Sequence, residues 1–211
     1  MSRLFCWAGS VSLCLAFSTT AQASFELISR TDGEPTVVTE PNGGVGNPSI
    51  SANGRFVAFA SDASNLVAGD SGVVTDIFLY DLDAGTLRSI TANGNDDSRR
   101  PAISADGRFV AFESRATNLV ADDTNGAFDI FVYDAVTDTL ELLAQGGGQG
   151  NFDLAAPSIS ADGRIVVFDS RASNLAAGDT NGGVDDVFLY DRNTNTTELL
   201  TAGGNNLRRS L

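Results

Sequence analysis

The stretch PAISADGRFVAFESRATNLVADDTNGAFDIFVYD, residues 101–134, decides the fold, because the chain contains this unit three times. Residues 48–81 read PSISANGRFVAFASDASNLVAGDSGVVTDIFLYD, and residues 157–191 read PSISADGRIVVFDSRASNLAAGDTNGGVDDVFLYD. Self-similarity with a period of about 50 residues is typical of solenoids, propellers and other repeat arrays. We therefore expect one small structural unit, repeated along the chain.

The pattern inside each unit predicts β-strands throughout. In the second copy, apolar side chains alternate along residues 108–114 after the turn dipeptide Asp106-Gly107, and residues 130–133 and 139–143 continue with two more short strands. Four antiparallel strands per unit follow, and the chain is expected to be all-β. Because one such sheet cannot bury both of its faces alone, neighbouring sheets should stack, with the periodic Val, Ile, Phe and Tyr residues as their core.

The repeat resembles the WD40-like repeat of the TolB family of bacterial β-propellers. The matching segments are P-x-I-S-x-D-G-R-x-V-x-F, then D-I-F-V-Y-D and T-x-E-L-L. The resemblance implies four-stranded antiparallel blades at residues 48–100, 101–156 and 157–204. It also implies a non-catalytic propeller, since members act as periplasmic protein-binding modules or stand beside a peptidase domain.

Both ends of the chain depart from a closed propeller, which normally needs at least four blades. Within the N-terminal strand and linker at 24–47, residues 25–29 resemble a fourth strand, and residues 205–211 resemble the truncated start of a further blade. The sequence therefore predicts a partial or open propeller of about three blades plus an N-terminal extra strand. Two interpretations remain: a fragment of a longer propeller, including one from a larger hydrolase, or copies that self-associate through open blade edges.

Residues 1–23 have the pattern of a secretory signal peptide. Arg3 precedes an apolar run, and Ala21-Gln22-Ala23 provides the small residues that a signal peptidase recognises. Such a signal would direct export to the periplasm or beyond the cell, with cleavage after Ala23. No stretch is long and apolar enough to predict a membrane span.

The composition narrows the functional classes. The chain has no His, its two Cys lie within residues 1–23, and every positive side chain is Arg. Ser–His–Asp, Cys–His and Ser–Lys catalytic sites therefore cannot form in the mature chain. A net charge of −14 argues against nucleic acid as a partner. An enzyme would have to use paired carboxylates. The candidates are the acids that match no repeat position, namely Glu34, Glu40 and Asp153. We predict instead a binding scaffold for a protein or cell-envelope component.

The loop between the second and third strands of each repeat is acidic. Its second and third copies, beginning D-T-N-G, partly match calcium-binding loops, which use oxygen ligands around a sharp bend. The predicted calcium ligands are Asp123, Asn125, Asp129, Asp179, Asn181 and Asp185. The alternative is that these side chains only shape a turn. If calcium binds, it would stabilise the repeat protein and supply no catalysis.

One arginine and one aspartate recur in every repeat. Arginine follows the turn glycine, and aspartate ends the third strand. Their recurrence predicts structural ion pairs between neighbouring strands at Arg55, Arg108, Arg164, Asp81, Asp134 and Asp191.

Overall fold

The structure, a computed structural model, describes residues 40–70, 73–121, 123–143, 150–180 and 183–201. The first repeat forms strands β1 (Val45–Ile50), β2 (Phe56–Ser61), β3 (Asp76–Asp81) and β4 (Thr86–Ser89). The second forms β5 (Ser98–Ile103), β6 (Phe109–Ser114), β7 (Asp129–Asp134) and β8 (Thr139–Leu142). The third forms β9 (Leu154–Ile159), β10 (Ile165–Ser170), β11 (Asp186–Asp191) and β12 (Thr196–Leu199). The predicted signal peptide at 1–23, the extra strand at 25–29 and the tail at 205–211 lie outside the described residues.

Each repeat folds into one four-stranded antiparallel sheet with its strands in chain order. The first strands of neighbouring sheets contact each other, β1 with β5 and β5 with β9. No helix occurs in the ranges given above. The prediction of an all-β chain with three four-stranded antiparallel sheets is confirmed.

The first strand of each sheet contains a β-bulge just before its proline. In the second sheet, Arg99 pairs with Glu113, but the register then shifts before Ala102 pairs with Ala111. Arg100 takes a φ of 52° there, and its counterparts Asn47 and Ala156 take 51° and 50°. A bulge accommodates the missing N–H of proline. It also breaks the alternation, which explains why the blade boundary expected from the sequence falls at Pro101, whereas this strand starts at Ser98.

The sheets stack face to face. We call the side of a sheet that contacts the preceding sheet its near face, and the other side its far face. Between the first and second sheets, the far-face residues Ala58, Ala60, Ile77 and Leu79 pack against the near-face residues Val110, Phe112, Phe131 and Tyr133. Between the second and third, the equivalent residues are Ala111, Ile130 and Val132 against Val166, Phe168, Phe188 and Tyr190. Burial of each Phe side chain contributes about 1.5–3 kcal/mol to the stability of the fold. The packing of these residues places the core between the sheets, as predicted.

A glycine in the tight turn of each following sheet fits against an aromatic ring of the sheet before it. A Cβ on Gly107 would lie 2.1 Å from the Phe56 ring, and one on Gly163 would lie 2.1 Å from the Phe109 ring. Both glycines have positive φ, 80° and 73°. Gly54, at the same position of the first sheet, has open space around its Cβ direction. The close approach of neighbouring sheets therefore requires glycine at two of the three positions.

The far face of the third sheet is not covered by another described sheet. Val187 on this face is 39% exposed, whereas its counterparts Ile77 and Ile130 are 0% exposed. Leu200, just after β12, is also exposed. The array ends with an open sheet, and the predicted partial or open propeller is confirmed. Self-association through this open side stays a prediction.

Candidate functional site

The two ends of the sheets differ in their loops. The turn end carries the tight turns at 51–55, 104–108 and 160–164 and at 82–85, 135–138 and 192–195. The loop end carries the long loops between second and third strands, at 62–75, 115–128 and 171–185, and the connectors that lead to the next sheet. The predicted calcium ligands that the structure describes, Asp123, Asn125, Asp129, Asp179 and Asp185, lie at the loop end.

At the turn end, a serine and an aspartate build the same turn in the second and third sheets. The Ser104 hydroxyl donates to Asp106 Oδ1 at 2.7 Å, and the Phe109 N–H donates to Ser104 Oγ at 2.9 Å. The third sheet repeats these bonds, and the first uses Asn53 in place of the aspartate. The serine hydrogen bond, followed by that of the arginine N–H, lowers the pKa of Asp106 below its usual value. These carboxylates are therefore used to hold the turn.

The recurring arginine and aspartate form a bidentate ion pair in every sheet. Arg108 Nε donates to Asp134 Oδ1 at 3.0 Å, and its Nη2 donates to Oδ2 at 2.7 Å. The corresponding pairs are Arg55–Asp81 and Arg164–Asp191. The hydrogen bond from Arg108 is the main cause that lowers the pKa of Asp134 to about 2. The predicted structural ion pairs are confirmed.

At the loop end, asparagines tie each long loop to the connector that precedes the sheet. The Asn95 N–H donates to Asn118 Oδ1 at 2.9 Å, and the Thr117 N–H donates to Asn95 Oδ1 at 2.9 Å. The first and third sheets have the same arrangement through Asn42 with Asn65 and through Asn151 with Asn174. The recurring asparagine before leucine in the repeat thus fixes the path of the loop.

A short piece of the first and of the second loop also pairs with the next sheet. The Phe128 N–H donates to Asp153 Oδ1 at 3.0 Å, and the Leu154 N–H donates to the Phe128 carbonyl at 2.7 Å. Thr75, Asp97 and Ser98 form the same bonds between the first two sheets. The interpretation of Asp153 as an unmatched acid is therefore wrong, because the connectors differ in length and hid its counterpart. Glu40 offers its carbonyl to Asn65, and Glu34 lies outside the described residues.

In the second loop, two of the predicted calcium ligands are buried together. Asp123 is 4% exposed and Asp129 is 2% exposed. Burial, followed by the charge of Asp123, raises the pKa of Asp129 to about 7, and the charge of Asp153 adds to the effect. Asn125 shapes the turn, since its Oδ1 accepts the Ala127 N–H at 2.8 Å and its amide nitrogen donates to the Gly150 carbonyl at 3.3 Å.

In the third loop, the predicted ligand Asp185 has a different partner. Asp185 is exposed and forms a two-pronged ion pair with Arg171, at 2.8 and 3.2 Å. Asp179 is half-buried, and Asn181 lies outside the described residues. The structural counterpart of Asp129 is Asp186, which is 4% exposed at the start of its strand. The third loop has one more residue than the second, and this shift hid the equivalence in the sequence.

The buried aspartates that start the third strands differ in one partner. The Thr91 hydroxyl donates to Asp76 at 2.6 Å, and the Thr201 hydroxyl donates to Asp186 at 2.5 Å. In the second repeat this sequence position is Ala144. Asp76, with its threonine, has a pKa raised by burial to about 6, against about 7 for Asp129.

The second Oδ atom of Asp129 has no hydrogen-bond partner among the residues that the structure describes. Within the same ranges, no group of three or more acidic side chains is arranged to hold a metal ion. The calcium prediction therefore stays a prediction.

The seam between the second and third sheets breaks the repeat with a fully buried acid. Glu113 is 0% exposed, where the other sheets have Ala60 and Asp169. Its Oε1 accepts from Arg99 Nε at 2.5 Å and from Arg100 Nη1 at 3.2 Å. Its Oε2 accepts the Ala156 N–H of the next sheet at 2.9 Å. One buried carboxylate therefore anchors two arginines at the loop end.

An aromatic ring lies beside these arginines. The guanidinium carbon of Arg99 lies 3.8 Å from the centre of the Phe128 ring, and that of Arg115 lies 4.7 Å from it. Phe128 is 5% exposed, and the other loops have Thr75 and Asp185 at its position. Sequence reasoning missed this cluster, because it looked for acids that recur. The signal was a position at which the three copies disagree.

Solved structures identify the architecture. TolB from Acinetobacter baumannii matches with a TM-score of 0.50 and 24% identity over 77% of this chain. The chain has a TolB-like β-propeller fold. Further matches are a TolB from Agrobacterium tumefaciens (TM-score 0.47, 21% identity, 72% of this chain and 47% of that one) and the β-propeller domain of the Trilobed protease from Pyrococcus furiosus (0.49, 15%, 74% and 41%). No protein-family profile matches the sequence, and no curated protein matches it.

The TolB-like propeller spans 33% of the length of the Acinetobacter baumannii TolB chain. The likeness concerns the fold, since the sequence identity is low. In the described part of the propeller, no helix is long and apolar enough to cross a membrane.

Proposed function

We propose that this chain is an exported, non-catalytic propeller that binds a protein or another component of the cell envelope through its loop end. The observation that carries the proposal is a difference between the two ends: recurring polar residues hold the fold at the turn end, whereas residues at the loop end depart from the repeat. At the turn end, serine, aspartate and arginine side chains satisfy one another in each sheet. At the loop end, Arg99, Glu113 and Phe128 depart from the repeat. Because a binding site must differ from its structural surroundings, such departures mark where a partner would be recognised.

The binding function is tested by capture from envelope extract. The mature chain, from Ser24 onward, is immobilised, and retained proteins are identified with and without excess soluble chain as competitor. The proposal expects a retained component that the competitor removes. Retention of the same proteins in the presence and absence of competitor would contradict it.

The non-catalytic part of the proposal rests on the missing residue types and on the use of Asp153 in holding a seam. Purified mature chain should not turn over peptide or polysaccharide substrates. Turnover that disappears in Asp153→Asn would contradict this part and would favour a carboxylate hydrolase.

Export is supported by the pattern of residues 1–23. Expression of the whole sequence in a bacterium should release a product whose N-terminus is Ser24. A product that keeps Met1 and stays in the cytoplasm would contradict export.

Calcium stabilisation is the second candidate, and one observation favours it. Asp129 is buried, its second Oδ atom has no described hydrogen-bond partner, and the charges of Asp123 and Asp153 act on it. A divalent cation would balance these charges. Calcium at about 1 mM should then raise the thermal midpoint over that in chelator, because a ligand of the folded state stabilises it. Asp129→Asn should abolish the rise, and equal midpoints in both conditions would rule calcium out.

A further inference from the structure

Two arginines at equivalent positions have different partners. Arg115 and Arg171 each follow the last residue of a second strand, and Phe128 and Asp185 each precede a third strand. In the third sheet, Arg171 binds the Asp185 carboxylate with two hydrogen bonds. In the second sheet, Arg115 lies over the Phe128 ring instead. The carboxylate that satisfies one arginine is thus replaced by a ring in the other.

The N–H donors of the Arg115 guanidinium form no ion pair with an acid among the described residues. Arg115 is exposed, and no carboxylate contacts its guanidinium in the part of the chain that the structure describes. The other described arginines each lie within 4.0 Å of an Asp or Glu oxygen. In a chain with a net charge of −14, an arginine left without an acid is unusual. A guanidinium on an aromatic face keeps its N–H edge free for a planar anion.

Arg99 extends the same site. Its guanidinium lies against the same Phe128 ring and is held by the fully buried Glu113, which also binds Arg100. The ring and the buried acid fix Arg99 before any ligand arrives, which reduces the entropy cost of binding.

Two acids beside this site have a structural role or are partly buried. Asp153 accepts the Phe128 N–H. Burial, followed by the charge of Asp185, raises the pKa of the half-buried Asp169. Of the described arginines, Arg99 and Arg100 contact the Glu113 carboxylate, and Arg115 contacts the Phe128 ring.

We propose that Arg115, which shares the Phe128 ring with Arg99, binds a carboxylate group on a peptide segment of the partner. Arginine holds carboxylates through two parallel N–H···O bonds, as Arg171 does with Asp185 inside this same chain. The carboxylate is either a C-terminus or an acidic side chain. The inference rests on the proposed binding function and names the chemistry of the ligand.

Fluorescence anisotropy of short labelled peptides tests the site on the mature chain. One peptide is uncharged except for a free C-terminus, a second is its C-terminal amide, and a third is the amide with one internal Glu. At least one carboxylate peptide should bind, and the fully amidated peptide should not. The arm that binds identifies the source of the carboxylate. Equal binding of all three peptides, or of none, overturns the proposal.

Two glutamine variants compare the contribution of Arg115 to peptide binding with that of its matched control, Arg171. Arg115→Gln should weaken binding about tenfold, because a charge-assisted pair is lost. Arg171→Gln should change binding by less than about twofold, since Arg171 is already paired. Equal losses in the two glutamine variants would overturn the proposal.

The outcome also separates this inference from the proposed function. A partner that is captured from extract equally well by wild type and Arg115→Gln would leave the binding function standing and would overturn the arginine site.

Discussion

The turn end and the loop end of the propeller use the same residue types for different purposes. At the turn end, Arg108 and its two counterparts each bind the aspartate that ends the third strand, in the same geometry. At the loop end, Arg115 and Arg171 occupy equivalent positions, but one lies on a ring and the other binds an acid. Identical solutions in every sheet indicate a requirement of the fold. Different solutions at equivalent positions indicate that the fold does not fix the choice and leaves room for function.

Substitution of a turn-end glycine should give the largest change in the free energy of unfolding. Gly107→Ala places a Cβ against the Phe56 ring in a positive-φ conformation, so we expect a loss of about 3 kcal/mol in the free energy of unfolding. Gly54→Ala is the matched control, because its φ is also positive but its surroundings are open. It should lose about 1 kcal/mol. Urea unfolding measures both, and equal losses would mean that the sheets do not approach as closely as described.

The buried Asp129 at the loop end should give a pH-dependent effect. Its folded-state pKa of about 7 lies above the usual value of 3.8. As pH rises from about 4 to 7, the unfolded chain releases this proton and the folded chain retains it, so stability falls across that range and is level above it. Asp129→Asn should match wild type near pH 4 and exceed it by about 2 kcal/mol at pH 8. Urea unfolding in chelator tests this, and parallel pH profiles would contradict it.

A threonine at the sequence position of Thr91 and Thr201 should give a smaller effect in the second repeat. That position is Ala144, and Ala144→Thr supplies a hydroxyl of the kind that Thr91 and Thr201 donate to Asp76 and Asp186. A hydrogen bond to the ionised carboxylate lowers its pKa, so this variant should gain about 1 kcal/mol at pH 8. Thr91→Ala is the reciprocal control and should lose a similar amount. A gain at pH 4 as large as that at pH 8 would rule out this explanation.

The repeat made most of the fold predictable from sequence. Alternation along residues 108–114 and turn signals such as Asp106-Gly107 predicted the strands and turns that the structure has. The bulge at Arg100 was not predictable, because it depends on a register shift against β6 that the alternation pattern does not reveal. The open far face around Val187 followed from the number of repeats.

The site was less predictable, because its residues come together across a seam. Asp123 and Asp129 were identified from their loop, but Asp153 reaches them from the connector to the next sheet. Glu113 and Phe128 are ordinary strand and loop residues in the sequence. Their role depends on Arg99, which lies in a different strand of the same sheet. Spacing along the chain reveals neither a side-chain contact between two strands nor one between two sheets.

Paired measurements on Arg108→Ala and Arg115→Ala test the division between the two ends most directly. Urea unfolding and titration with the carboxylate peptide are carried out on both variants. Arg108→Ala should lose up to about 1 kcal/mol of stability and bind the peptide as wild type does. Arg115→Ala should keep the stability of wild type and bind about tenfold more weakly. If Arg108→Ala weakened binding while Arg115→Ala only destabilised the fold, the assignment of structure to one end and recognition to the other would be contradicted.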